Sequence, residues 1–113
     1  MCIRDRLVAQ LRARAEEALR ARIAASQATA GELAQVAALD ASRGDNESAA
    51  ALYFEALKLE YHQYEWRMAR AAALMASGRP EQALREVRIC LRQRPNDARA
   101  QELLHELTKE VGE

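Results

Sequence analysis

The feature that most constrains this chain is a pattern that recurs after about 34 residues. Residues Gly44–Ala49 align with Gly78–Ala83, and the same offset places Tyr53 on Val87. Each aligned segment begins with a glycine turn and continues into an apolar stripe. A repeat of this length is one supersecondary unit that cannot bury its apolar side alone, so successive copies must stack.

Each glycine turn lies between two helical patterns. Before Gly44, apolar residues follow the spacing of one helix face, and Thr29-x-x-Glu32 has the form of a capping box that opens this helix. After Gly44, Asp45 is placed to cap a second helix with apolar residues on two sides, which indicates burial between neighbours. The first helix carries Leu33, Val36, Ala37 and Asp40; the second carries Ala49, Leu52, Tyr53, Ala56, Leu57 and Leu59.

The second copy follows the same plan. Pro80 occupies a first-turn position, where its missing N–H costs nothing. Asn96 or Asp97 then caps a last helix with one apolar and one polar side, a pattern typical of a terminal cap. The apolar residues of this copy are Met68, Ala71, Ala72 and Met75, then Ala83, Leu84, Val87, Cys90 and Leu91; the last helix carries Leu103, Leu104 and Leu107.

Composition excludes several classes of protein. The chain has 25 alanines but only four glycines and two prolines, too few turn formers for a many-stranded β fold. It contains no apolar run as long as the roughly 18 residues that a membrane-spanning helix needs. Seventeen basic and seventeen acidic residues leave no global field to attract nucleic acid or an anionic membrane.

Residues with catalytic or metal-binding chemistry are few and scattered. Cys2 and Cys90 form no CxxC motif, and neither His62 nor His105 has a second ligand at metal spacing. Cys90 stands where the repeat needs a small residue, so we expect it to fill the core. The sequence therefore predicts no enzyme, no catalytic residue, no metal and no cofactor.

These residues resemble the tetratricopeptide repeat, a helix–turn–helix unit of the same length. The second-helix positions match well, whereas Asp40, Arg67 and Arg70 stand where the family has aromatic or large apolar residues, and Trp66 lies one place early. The resemblance implies an all-α, right-handed superhelical stack of antiparallel helix pairs. Its expected parts are repeats over 29–62 and 63–96 and a capping helix over 97–113.

The N-terminal region has two parts. Residues 7–28 form an amphipathic pattern that suits either the second helix of a truncated earlier repeat or a free-standing bundle or coiled-coil helix. We favour the truncated repeat, although Arg22 would then occupy a position where the repeat needs a small, close-packing residue. Residues 1–6 resemble a peptide translated from sequencing-adapter DNA, so the natural polypeptide would continue upstream of Leu7.

The resemblance also implies a function and a surface. First helices of the family line a concave groove that binds peptides or helices, so we expect a protein partner on residues from three helices. The alternatives are a structural C-terminal block of a larger bacterial protein with the groove filled in cis, and weak RNA or phosphate binding through the arginines between Arg85 and Arg99. The expected groove residues are Ala34, Ala38, Ala41, Met68, Ala72, Met75, Glu102 and Glu106.

Overall fold

The computed structural model describes residues 2–112, and this part of the chain is entirely helical apart from its turns. Helices that open a repeat begin one repeat length apart, and so do the two that follow the glycine turns. The all-α repeat architecture is thereby confirmed. The helices are α1 (Ile3–Ala24), α2 (Ala30–Ser42), α3 (Asn46–Leu59), α4 (Tyr64–Ala76), α5 (Pro80–Gln93) and α6 (Ala98–Val111).

Side-chain caps fix where these helices begin. The Thr29 N–H donates to the Glu32 carboxylate over 2.9 Å and the Glu32 N–H donates to the Thr29 hydroxyl over 3.1 Å, which confirms the capping box. The Asp45 carboxylate accepts from the N–H of Ser48. Of the two candidates for the last cap, Asp97 performs the role by accepting from the Arg99 N–H at 2.9 Å.

The glycine turns end the first helix of each repeat. Gly44 and Gly78 have φ angles of +83° and +79°, a region that side-chain-bearing residues rarely adopt. Because both glycines lie outside the helices, the chain reverses at each of them. α5 begins at Pro80, as its first-turn position predicts.

Helices pack on their neighbours in chain order, giving an elongated body of 52 × 32 × 24 Å. Most of the predicted stripe positions lie in one main core, including Tyr53, which is 7% exposed, and Val87, which is completely buried. The prediction is wrong at Leu59, which is the last residue of α3 and is 62% exposed. Other core members include Leu33, Ala37, Ala49, Ala56, Leu74, Ala83, Leu84 and Leu107.

α1 is attached differently from the other helices, since none of its described residues is fully buried. Leu19 and Ile23 are half-buried. Polar contacts reinforce the attachment: Arg20 donates to Asp40 at 2.6 Å, and Arg43 donates to both oxygens of Glu16. α1 begins at Ile3, inside the segment predicted to derive from adapter DNA, and that origin stays a prediction.

Candidate functional site

The expected groove residues lie on α2, α4 and α6, the helices that open successive repeats. Ala34 is 7% exposed and belongs to the core, so it offers almost no surface to a partner. We call the other seven the first-helix surface. Of these, Ala38, Ala72, Glu102 and Glu106 are exposed, and Ala41, Met68 and Met75 are half-buried.

The two methionines connect this surface to the interior. Met68 packs against the small cluster formed by Tyr64, Cys90 and Ala100, and Met75 packs against the main core. Each thioether therefore has one side held by the fold and another side open. A flexible, polarizable side chain in this position can adapt its outer side to different apolar contacts.

An ion pair joins α4 to α6 one turn before Met68 and Glu102. Arg99 donates through both terminal nitrogens to the two oxygens of Glu65, at 2.8 and 3.2 Å. The hydrogen bond from Arg99 lowers the pKa of Glu65, and the same contact raises the pKa of Arg99. Sequence reasoning missed this pair, although its members stand one repeat length apart.

Asp97 extends the same polar cluster to the start of α6. Its carboxylate accepts from the Tyr64 hydroxyl at 2.8 Å and from the Arg99 guanidinium at 3.2 Å. These hydrogen bonds, Arg99 first, lower the pKa of Asp97 to about 2. Burial and the bond to Asp97 raise the pKa of Tyr64 to about 12, and Arg94 stacks over its ring at 4.0 Å. The cluster is thus ionised at Asp97 and neutral at Tyr64 near pH 7.

A second polar cluster lies inside the repeat, between α4 and α5. Arg67 donates to Glu86 Oε2 at 2.8 Å, and Arg70 donates to Glu86 Oε1 at 2.6 Å. Arg67 is 4% exposed and Glu86 is 9% exposed, so both charges are removed from water. Arg67 therefore occupies the buried repeat position despite its charge, whereas Trp66, which lies one place early, is only half-buried.

Backbone and aromatic groups complete the surroundings of the two arginines. Arg67 donates to the Tyr61 carbonyl at 3.0 Å and lies 4.6 Å from the centre of its ring. Arg70 donates to the Ala50 carbonyl at 3.3 Å and lies 4.9 Å from the Phe54 ring. Because Ala50 and Phe54 belong to α3, the cluster ties three consecutive helices together.

The groups with catalytic potential are dispersed. Burial raises the pKa of the Cys90 thiol to about 11, so it stays protonated near neutral pH, and its predicted place in the core is confirmed. His62 and His105 are both exposed. Within residues 2–112 there is no group of three or more His, Cys, Asp or Glu side chains that could hold a metal ion.

In the arginine-rich region considered for RNA, Arg94 and Arg99 both lie against Glu65. Just before this region, Arg79 donates to Glu47 of the preceding repeat at 2.6 Å. Arg85, Arg88 and Arg92 lie on the exposed side of α5. This arrangement favours the interpretation of a basic face that complements the neighbouring acidic repeat.

Comparison with protein families gives a match to the tetratricopeptide repeat profile over residues 40–107. The chain belongs to the tetratricopeptide repeat family, as its period, turns and paired helices indicated. Proteins of this family are generally protein-interaction modules. Comparison with curated proteins gives no match. Across the described residues, none of the helices combines the length and apolar character needed to span a bilayer.

Proposed function

We propose that this chain is a non-catalytic protein-interaction module that binds an apolar helix or extended segment on its first-helix surface. The observation that supports the proposal is the pairing of exposed Ala38 and Ala72 with half-buried Met68 and Met75. Small side chains let a partner backbone approach closely, and the methionines adapt to its side chains.

The charged residues beside the first-helix surface suggest in which direction a bound segment would lie. Glu65 and Arg99 neutralise one another beside the surface, whereas Glu102 and Glu106 are exposed on α6. A bound segment with its apolar part over α4 and its basic residues toward α6 would match both properties. Such complementarity chiefly sets the direction of binding and the association rate.

The proposal can be tested with a peptide of leucine and alanine that carries two lysines at one end. Carbon-13 labelling of the methionine methyl groups would report directly on Met68 and Met75. We expect both signals to shift saturably as peptide is added. Ala72→Glu should weaken binding at least about tenfold, because a buried charge opposes apolar contact.

Ala51→Glu is the matched control, since Ala51 is also an exposed alanine but lies on α3. This variant should bind the peptide as the unchanged chain does. Unchanged methionine signals, or equal effects of the two glutamates, would contradict the proposed surface.

A structural role is the second candidate, and one observation favours it. Met68 and Met75 already pack against the chain's own core, as they would in a block whose first-helix surface is covered by the rest of a larger protein. In that case the free peptide would not displace the segment of the larger protein that covers the first-helix surface. Ala72→Glu would then change only the stability of the larger protein.

A further inference from the structure

An open apolar pocket lies where the α1–α2 turn meets the end of α3. Its volume is about 530 Å³. Ile23, Ala28 and Leu52 are half-buried and pack against the main core, so each has another side left for a ligand. We call this cavity the turn pocket; its apolar lining is Ile23, Ala28, Leu33, Leu52 and Leu59.

The second repeat fills the corresponding place with its own side chains. The repeat offset carries Leu33 and Leu52 to Arg67 and Glu86, which are hydrogen-bonded to each other at 2.8 Å. The ring of Tyr61 lies against the Arg67 guanidinium, with its centre 4.6 Å away. Leucine is shorter than arginine and has no group to bond across the space. The first repeat therefore leaves open a place that the second repeat fills.

The α1–α2 turn also differs from the later turn. Gln27, the equivalent of Tyr61, is exposed and does not line the turn pocket. Ser26, which does line it, has a φ angle of +58°, whereas its equivalents Glu60 and Arg94 have φ angles of −134° and −136°. A left-handed backbone is uncommon in a residue with a side chain, and such strain concentrates at binding sites.

The charged residues of the lining already have partners. Among the described residues, those that line the turn pocket with a charge are Glu55 and Lys58. They pair with each other at 3.0 Å, and the Lys58 ammonium also lies 5.0 Å from the centre of the Phe54 ring. An ionised ligand would lose hydration over the apolar lining without gaining an unpaired opposite charge. The lining therefore favours an uncharged ligand.

We infer that the turn pocket binds an uncharged, apolar small molecule. The molecule lies over Leu33 and Leu52, in the place that the guanidinium of Arg67 takes in the next repeat. The volume of the pocket falls within the range of about 300–1,000 Å³ that is typical of small-molecule sites. This site shares no residue with the first-helix surface, so the inference goes beyond the proposed function.

The fluorescent probe N-phenylnaphthylamine tests the inference, because it is uncharged and emits more strongly in apolar surroundings. We expect a saturable rise in fluorescence when the probe is added to the full chain. Leu59→Asp should raise its dissociation constant at least about tenfold, because the variant places a charge in the lining. Anilinonaphthalene sulfonate has the same rings and an added negative charge, so it should bind at least about tenfold more weakly.

Leu11→Asp is the matched control, since Leu11 is 63% exposed and Leu59 is 62% exposed, but Leu11 lies on α1 outside the pocket. It should leave the affinity for the probe unchanged within about twofold. Because both leucines are exposed, neither variant should unfold the protein, and circular dichroism checks this.

Three results would overturn the inference: no saturable rise in fluorescence, equal weakening by the two aspartates, or equal affinity for the neutral and the sulfonated probe. The leucine–alanine peptide should not displace the probe, and Ala72→Glu should not change its affinity. Either effect would assign the probe to the first-helix surface and would likewise contradict a separate site.

Discussion

Arg67 and Glu86 form a buried ion pair of 2.8 Å at the two positions where the preceding repeat has Leu33 and Leu52. The same two repeat positions thus hold apolar residues in one repeat and an ion pair in the next. Burying a pair of charges costs desolvation energy that their attraction only partly offsets. We therefore expect the pair to contribute more to the correct pairing of α4 with α5 than to the free energy of unfolding.

This relationship predicts opposite results for single and combined replacements. Glu86→Leu alone should lower the free energy of unfolding by about 3–5 kcal/mol, because it leaves the buried Arg67 and the half-buried Arg70 without their acid. Arg67→Leu, Arg70→Val and Glu86→Leu together restore the residues of the first repeat and should be neutral or stabilising by about 1–4 kcal/mol. Urea unfolding followed by circular dichroism measures both. A triple variant less stable than the single one would contradict this view.

The apolar core predicts a large effect at Leu57, which is 4% exposed. Leu57→Ala should cost about 2–5 kcal/mol by opening a cavity between paired helices. Arg85→Ala, on the exposed side of α5, should change stability by no more than about 0.5 kcal/mol. Thermal unfolding compares the two, and similar losses would mean that the helix faces are assigned incorrectly.

Replacing Gly44 should destabilise the fold through backbone strain and not through a side-chain clash. No atom lies within 4 Å of a Cβ added at this position, but its φ angle is +83°. Gly44→Ala should therefore cost about 1–2 kcal/mol through backbone strain alone. Gly44→Asn should cost less, because asparagine tolerates this region better. Equal costs for the two variants would point to a different cause.

Acid should weaken the attachment of α1 and the cluster around Asp97. Hydrogen bonds from Arg43 and then Arg20 lower the pKa of Glu16 from 4.5 to about 2, and the pKa of Asp97 falls to about 2 as well. A carboxylate with a lowered folded-state pKa stabilises the fold above its ordinary pKa and loses that contribution as pH falls toward the folded value. Stability should therefore decline between about pH 4.5 and pH 2.

Urea unfolding at successive pH values from about 6 to about 2 tests this decline. Glu16→Gln and Asp97→Asn each remove one titrating group, so each variant should show a shallower decline over the same interval. A slope that neither substitution changes would show that other carboxylates govern the acid response.

The sequence predicted the parts of the fold that depend on periodicity. Leu57 and Val87 follow the helical spacing, and Gly44 marks a turn that few other residues permit. The ion pair of Arg67 and Glu86 could not be predicted in this way. A charged residue at a position that is apolar in the other repeat is explained only when its partner on another helix is known. Such contacts are tertiary, and the helical period does not contain them.

The candidate site, too, could be predicted from the sequence only in part. The first-helix positions of Ala72 and Met75 follow from the repeat, but the burial of Ala34 depends on how closely α2 and its neighbours approach. Glu65 and Arg99 could have been paired, since stacking brings together residues that stand one repeat length apart.

The central claim is that the chain consists of helix pairs stacked at a constant repeat length, and spin-label distances test it most directly. Labels at Ala38 and Ala72, and separately at Ala72 and Glu106, mark equivalent positions of successive first helices; Cys2→Ser removes the exposed native thiol. We predict two nearly equal distances, because each pair of labels lies one repeat length apart, and both should be far shorter than the roughly 50 Å that one uninterrupted α-helix would give between the same two labels. A separation of roughly 50 Å, or two widely different values, would contradict this stacking.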